Sequence, residues 1–350
     1  MRRLDLRGTP EELGTAFGTV FDEEIRAYLE DRLARSKVGT GFSSDQLRRL
    51  GADCLPAHRR YAPDLYEEMT AMSEAAGLTP AEAVIVGGYT DFIDTVRSAA
   101  GTGPAEDDCT AVMVPDSIAG GSGYLAQTWD MHASATEHVV LLRIRPGTGP
   151  AALVFTTVGC LGQIGMNEAG LAVGINNLTA ADGQVGVTWP FIVRKVLQQT
   201  DFDLAVKAVM EADLAGGHNF LLFDISGRGV NIEAMPSHQE LTELEGRALV
   251  HANHCLFEAT RRHEAERPAV LVASSEARMR DAAAWLERPP ITERELMAMT
   301  RDPNSICRRP EPPFDYETCG AVIMRPGRGD LWAVGGLPAE NEYEHFRFDW

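Results

Sequence analysis

From residue 109 onward the sequence breaks into short apolar runs, and this grouping constrains the fold more than any other feature. "CTAVMVP" (109–115), "GYLAQTWD" (123–130), "HVVLLRIRP" (138–146), "AALVFTTVG" (151–159) and "GLAVGIN" (170–176) follow one another with little but turn residues between them. Runs of that length, punctuated by Gly, Pro and Asp, predict antiparallel strands. Two helices are expected next, over 189–199 and 202–212. Strand patterns return in "NFLLFDISGRGVNIEAMP" (219–236), with "SGRG" as the turn, and a hairpin-like pair is expected over about 238–252. Helices are predicted over 274–287 and 291–300, and the chain closes in strand-like runs over 319–326, 330–336 and 343–349. Strands grouped this way do not fit the alternation of a doubly wound parallel sheet, so the expected class is α+β.

Residues 1–105 read as mostly helical. Thr9 with Glu12, and Thr79 with Glu82, are capping boxes with Pro in the first turn, and Thr292 with Glu295 repeats the box near the end of the chain. "RSAAGTGPAEDD" (97–108) has loop chemistry and marks the segment boundary.

A formal charge of −19, from 51 acidic against 32 basic side chains, repels nucleic acid and anionic membrane surfaces. No apolar run reaches the length of a membrane span, and the N-terminus has no apolar signal core, so a cytoplasmic location is the expectation. The six cysteines, at 54, 109, 160, 255, 307 and 319, form no C-x-x-C pair and are expected as free thiols. Cys109 stands apart, placed between an acidic loop and a buried strand. A buried thiol is ordinarily inert. A nucleophilic one needs a base, oxyanion donors and a means of holding substrate. His132, His251 and His254 are candidate bases, but no papain-type context surrounds any cysteine. The other solution makes Cys109 the first residue of a processed chain, with its own α-amino group, of pKa about 7.7–8.0, as base. His251 and His254 form an H-x-x-H pair, but no further ligand cluster accompanies it and no metal is expected.

Several stretches in order carry a resemblance: "PEELGTAFG", "EEMTAMSEAAGLTPAEAV", "CTAVMV", "AQTWDMH", "GQIGMNEAGLAVGINNLTA", "WPFIVRKVLQQTDFDLAV", "VHANHCLFEA" and "SSEARMRDA". From about Leu6 to Arg347 the chain resembles the acyl-coenzyme A:isopenicillin N acyltransferase family. That family belongs to the N-terminal-nucleophile hydrolases and is related to choloylglycine hydrolases and penicillin V acylases. The resemblance implies an αββα four-layer sandwich preceded by a helical segment. It divides the chain into residues 1–108, a pro-segment or α-chain, and a catalytic part over 109–350, together one compact domain. It implies self-cleavage between Asp108 and Cys109, and amide hydrolysis or acyl transfer on a small N-acyl amine or amino-acid conjugate. The acyl group, taken from an amide or from a thioester such as an acyl-coenzyme A, would pass through Cys109 to water or an acceptor amine, with no resident cofactor.

Carried over residue by residue, Cys109 is the nucleophile and Asp130 holds the new α-amino group. Asn253 offers its amide to the oxyanion, Asn176 is a second site asparagine, and Arg278 neighbours the thiol. Gln127, Thr128, Trp129, Asn177 and His254 are expected around substrate. Read without the resemblance, Asp130, Asn176 and Asn177 also suit turns, Trp129 a core, and Arg278 a solvent-facing first turn of the helix at 274. Two positions depart from the family: Asp108, where Gly is typical, and Thr128, where Asn is frequent. Asp108 keeps open an uncleaved chain, which either binds an acyl-amine ligand or uses an internal Cys109 with another base.

Overall fold

The computed structural model describes residues 1–103 and 109–350; the expected cleavage residue Asp108 lies outside them. The first part of the chain forms a strand, β1 (Arg3–Gly8), and six helices: α1 (Pro10–Val20), α2 (Asp22–Ser36), α3 (Ser44–Tyr61), α4 (Pro63–Ala75), α5 (Pro80–Gly87) and α6 (Tyr89–Ala100). Next come β2 (Cys109–Val114), β3 (Tyr124–His132), β4 (Val139–Pro146), β5 (Ala152–Thr157), β6 (Ile164–Asn167) and β7 (Leu171–Asn177). Helices α7 (Trp189–Leu197) and α8 (Phe202–Met210) precede β8 (His218–Asp224), β9 (Gly229–Ala234), β10 (Gln239–Glu243) and β11 (Leu249–His251). The chain ends with α9 (Glu258–Arg261), α10 (Ala269–Trp285), α11 (Glu293–Thr300), β12 (Tyr316–Arg325), β13 (Asp330–Gly335) and β14 (Glu344–Phe346).

Among the described residues the strands make two sheets, in orders β1-β4-β5-β6-β7-β8-β9-β10 and β11-β2-β3-β12-β13-β14. The sheets pack through β2 and β3 against β7 and β8. Helices α7 and α8 cover the outer face of the larger sheet, and α10 and α11 that of the smaller, giving the four layers expected of an α+β αββα sandwich. Alternation along β2 shows the arrangement residue by residue. Cys109, Ala111 and Met113 join the core between the sheets, while Val112 and Val114 pack toward α10 and α11 with Leu286, Ile291 and Leu296.

The three expected capping boxes are present, at Thr9, Thr79 and Thr292, and a fourth at Ser43 closes on Gln46. Helix α1 lies against α4 closely enough that a Cβ on Gly14 would sit 2.0 Å from Glu68 O, and one on Gly18 2.2 Å from Met72 O. Only glycine permits that approach.

Four expectations need correction. The mostly helical first segment opens with β1, which pairs in parallel with β4; its "RLDLRG" carries too many charges to read as a strand. Helix α6 runs through Ala100, so the expected loop begins later than residue 97. Strands β10 and β11 are no hairpin, because β10 extends the large sheet beside β9 while β11 joins β2 in the other. Helix α10 starts at Ala269, which puts Arg278 mid-helix and fully buried rather than in a solvent-facing first turn.

Candidate active site

Strand β2 begins at Cys109, and its neighbour β11 ends with His251 opposite Ala111, so the backbone ladder on that side stops short of the cysteine. Side chains complete it. Asn253 Oδ1 accepts the Cys109 N–H at 2.8 Å. The Cys109 carbonyl accepts from Arg278 Nη1 at 2.7 Å and from Asn176 Nδ2 at 3.3 Å. Arg278 also donates to Asn253 Oδ1 at 3.0 Å and to Thr110 Oγ1 at 3.2 Å. A guanidinium only donates, so Arg278 dictates which end of the Asn253 carboxamide faces the strand. Oδ1 turns to Arg278 and Cys109, and Nδ2 turns away to Asn177 O at 3.1 Å. The Asn253 N–H goes to Ser275 Oγ at 2.9 Å, and that hydroxyl lies 2.7 Å from His254 Nδ1.

Asp130 sits one residue beyond the Cys109–Trp129 pair of β2 and β3, at the end where β2 begins. It is fully buried, and neither carboxylate oxygen has a hydrogen-bond partner within normal geometry among the described residues. Burial pushes its carboxyl up; Arg278 and Arg308 pull the other way, as do the Thr318 and Thr128 hydroxyls more weakly. Thr318 pairs with Asp130 across β3 and β12, next to a register shift between Thr318 and Gly320 that bends β12 at the site. Arg308 is fixed to that point by its own backbone, whose N–H donates to Thr318 Oγ1 at 2.9 Å.

The residues expected around substrate divide. Gln127 uses both ends of its amide on Ile175, donating to its carbonyl at 3.0 Å and accepting its N–H at 2.7 Å, which ties β3 to β7 across the sandwich. Thr128 Oγ1 accepts the Thr110 N–H at 3.2 Å. Trp129 packs edge-on against Phe155, with ring centroids 6.3 Å apart, in the core. Asn177 and His254 adjoin Asn253 as described. Asn176 and Asn177 close strand β7 and are buried, not turn formers.

A cavity of about 360 Å³ opens on the α10 side, walled by Leu271, Arg278, Cys307, Arg308, Phe314 and Tyr316. Arg278 thus both lines this cavity and holds the Cys109 carbonyl. The three candidate histidines are weak or already engaged as bases. Burial lowers His132 to about 2, with Arg32 and Arg35 adding to the shift, and lowers His254 to about 4. Both ring nitrogens of His251 face acceptors, Glu233 Oε1 at 3.0 Å and Ala252 O at 2.8 Å. Among the described residues no group of three or more His, Cys, Asp or Glu side chains could hold a metal ion, and no helix is long and apolar enough to cross a membrane.

Sequence reasoning missed Thr110, Ser275 and Arg308. Nothing local marks a Ser in a helix or an Arg in a loop as a site residue.

The family model described as acyl-coenzyme A:6-aminopenicillanic acid acyl-transferase matches residues 118–314, more than half of the chain. The match begins just after β2 and contains Asp130, Asn176, Asn253 and Arg278. The 40 kDa form of acyl-coenzyme A:6-aminopenicillanic-acid-acyltransferase from Emericella nidulans is 25% identical over 261 residues, 73% of this chain and 70% of that protein. Among solved structures, an N-acylethanolamine-hydrolyzing acid amidase ortholog from Caenorhabditis elegans is 15% identical at a TM-score of 0.45, covering 63% of this chain and 93% of its own. A variant of conjugated bile acid hydrolase from Clostridium perfringens is 12% identical at 0.47, covering 69% and 97%. Penicillin V acylase from Agrobacterium tumefaciens is 13% identical at 0.42, covering 69% and 86%. The chain belongs to the acyl-coenzyme A:6-aminopenicillanic acid acyl-transferase family.

Proposed function

We propose that the protein is a cysteine N-terminal-nucleophile amidohydrolase or acyltransferase that cuts itself before Cys109 and then acts on a small N-acyl amine. The observation that carries this reading is the convergence of Asn253, Arg278 and Asn176 on the backbone of Cys109, with Asp130 buried at the same strand end.

In maturation the Cys109 sulfur attacks the carbonyl of residue 108 and the C–N bond breaks. Water then hydrolyses the resulting thioester and leaves a free α-amino group. That amine lies on Asn253 Oδ1, with Asp130 at the open end of the strand as its counter-charge. In turnover the thiol proton passes to the amine, sulfur attacks the substrate carbonyl, and the leaving amine takes the proton as its C–N bond breaks. Water or an acceptor amine resolves the S-acyl enzyme and restores the thiol. Arg278 holds the Cys109 carbonyl and so fixes the strand end that carries the sulfur. The geometry supports Asn253 first as holder of the Cys109 nitrogen; with one Nδ2 proton given to Asn177 O, an oxyanion role falls to the other. The reading with an internal Cys109 and a histidine base has less support, because burial makes His132 and His254 weak proton acceptors and His251 is engaged at both nitrogens.

Intact-mass measurement of wild type beside Cys109→Ala tests the proposal. The 38.1 kDa chain should split into pieces of roughly 12 and 26 kDa in the wild type alone. An uncut mass in both refutes the α-amino base. A panel of N-acyl amines, with mass detection of acyl groups on Cys109, then identifies the substrate.

A further inference from the structure

The hydrogen-bond chain on Cys109 does not stop at Asn176. Asn176 Oδ1 accepts from Asn219 Nδ2 at 3.2 Å, and the same nitrogen donates to Asn231 Oδ1 at 2.7 Å. The three carboxamides stand on β7, β8 and β9, adjacent strands of the large sheet, and none is more than 2% exposed. Their polarity is mutually fixed. The Cys109 carbonyl only accepts, so Asn176 must present Nδ2 to it and Oδ1 to its other neighbour. That neighbour must then donate, which Asn219 does with the two protons of one nitrogen, one for each flanking oxygen.

We infer that Asn219 is a positioning residue: by donating to Asn176 Oδ1 it keeps Asn176 Nδ2 on the Cys109 carbonyl and so holds the strand end that carries the nucleophile. The inference rests on the reading of Cys109 as nucleophile given above. Asn219 does not touch Cys109; it acts through Asn176. Neither composition nor spacing singles it out, because "HNFLLFD" reads as an ordinary buried strand.

Asn219→Asp is the informative variant. It keeps the shape, but an ionised carboxylate can only accept. Asn176 must then turn Nδ2 toward position 219, which leaves its Oδ1 against the Cys109 carbonyl, two acceptors face to face. At lower pH a protonated Asp regains one donor. Full-length wild type, Asn219→Asp and Asn219→Leu are compared for scission rate, kcat and KM on an N-acyl amine that the wild type turns over, and Tm, from pH 5 to 8. The expected result for Asn219→Asp is a loss in kcat of about 10- to 100-fold at pH 8, the scale of a misplaced reacting group, with KM within about threefold. Part of that loss returns toward pH 5 relative to wild type. Asn219→Leu loses a similar amount with no pH rescue, and it carries the test if the Asp variant does not fold. A kcat that falls only in proportion to folded fraction, or a loss in Asn219→Asp independent of pH, overturns the inference.

A second readout does not depend on turnover. The Asn176 side-chain protons, followed by NMR on ¹⁵N-asparagine-labelled Cys109→Ala protein, should exchange slowly and become fast on adding Asn219→Asp. Unchanged exchange refutes the relay even if the wild type is active. Slow exchange in a wild type that neither cuts nor turns over refutes the functional reading and leaves the relay as structure.

Discussion

Replacing Arg278 with Met removes one cation and keeps the volume of its stem. Among the described residues it loses hydrogen bonds to Cys109 O, Thr110 Oγ1 and Asn253 Oδ1. Hydrogen bonds to a charged group are each worth about 1.5–3 kcal/mol, but the cost of burying a guanidinium, several kcal/mol, is recovered. Two of the orphaned acceptors also keep a partner: Cys109 O retains Asn176, and Asn253 Oδ1 retains the Cys109 N–H. Asp130 is left buried with less positive charge beside it. The net expectation is a destabilisation of about 2–4 kcal/mol. For a chain of 350 residues, at about 2.1 cal/mol/K of unfolding entropy per residue, that is a fall in Tm of about 3–5 °C. The catalytic effect should be larger than stability accounts for, because the Asn253 amide is no longer held oxygen-first; scission and turnover should fall about 100-fold. Arg278→Lys restores the charge but not the two-nitrogen span, so it should regain stability more than rate. Differential scanning fluorimetry and an intact-mass time course at 25 °C measure both. A Met variant that melts within about 1 °C of wild type and cuts at the wild-type rate refutes the clamp.

Other perturbations test other parts of the structure. Gly14→Ala forces α1 away from α4, where the new methyl would meet Glu68 O at 2.0 Å, and should cost about 1–3 kcal/mol; an unchanged Tm refutes the close approach. His58 is buried, accepts the Thr188 N–H at its Nε2, and is lowered to about 4. Below its unfolded pKa of about 6.5 the unfolded chain takes a proton that the folded chain refuses, so stability should fall from pH 6.5 toward 4 by an amount of order 3 kcal/mol. His58→Gln should remove its share of that slope and leave the shares of His132 and His254, and urea melts across the range decide it. Glu233 is held low by His251 and Thr260 despite the opposing effect of burial. Its stabilisation is present above the ordinary carboxylate range and lost as pH falls through the depressed value. Glu233→Gln should therefore flatten acid unfolding while lowering Tm at pH 7; acid titrations that superimpose would contradict this.

What the sequence makes legible is whatever is local. Capping boxes, strand runs and the two helices that directly follow β7 are written in neighbouring residues, and the fold places each where its pattern stands. Sheet membership is not local. Nothing in "QELTE" or "LVH" says that one joins β9 and the other β2. Strand β1 escapes notice because three of its six residues are arginine or aspartate, satisfied at a sheet edge where Asp5 pairs with Arg143 across β4. At the site, Cys109, Asp130, Asn176, Asn253 and Arg278 follow from a resemblance carried by ordered motifs, and the fold gathers them at one strand end. Their supports are harder to find. A serine in a helix or an asparagine in an apolar strand is a common residue in a common place, and only the three-dimensional arrangement shows which polar atoms face which. Gln127 errs in the opposite direction, a conspicuous polar side chain beside the site that replaces a stretch of backbone pairing between sheets.

The parallel pairing of β1 with β4 has a bearing on biosynthesis and handling. The first strand finds its neighbour some 130 residues downstream, and β4 lies past Cys109, so this join is made only after that much more chain has left the ribosome. A cut before Cys109 would sever the covalent link without undoing the join. The two products should therefore co-purify as a heterodimer on a tag fused to either one, and part only in denaturant. Fragments expressed separately should complement poorly, because each would expose half of a seam that the intact precursor closes as it folds.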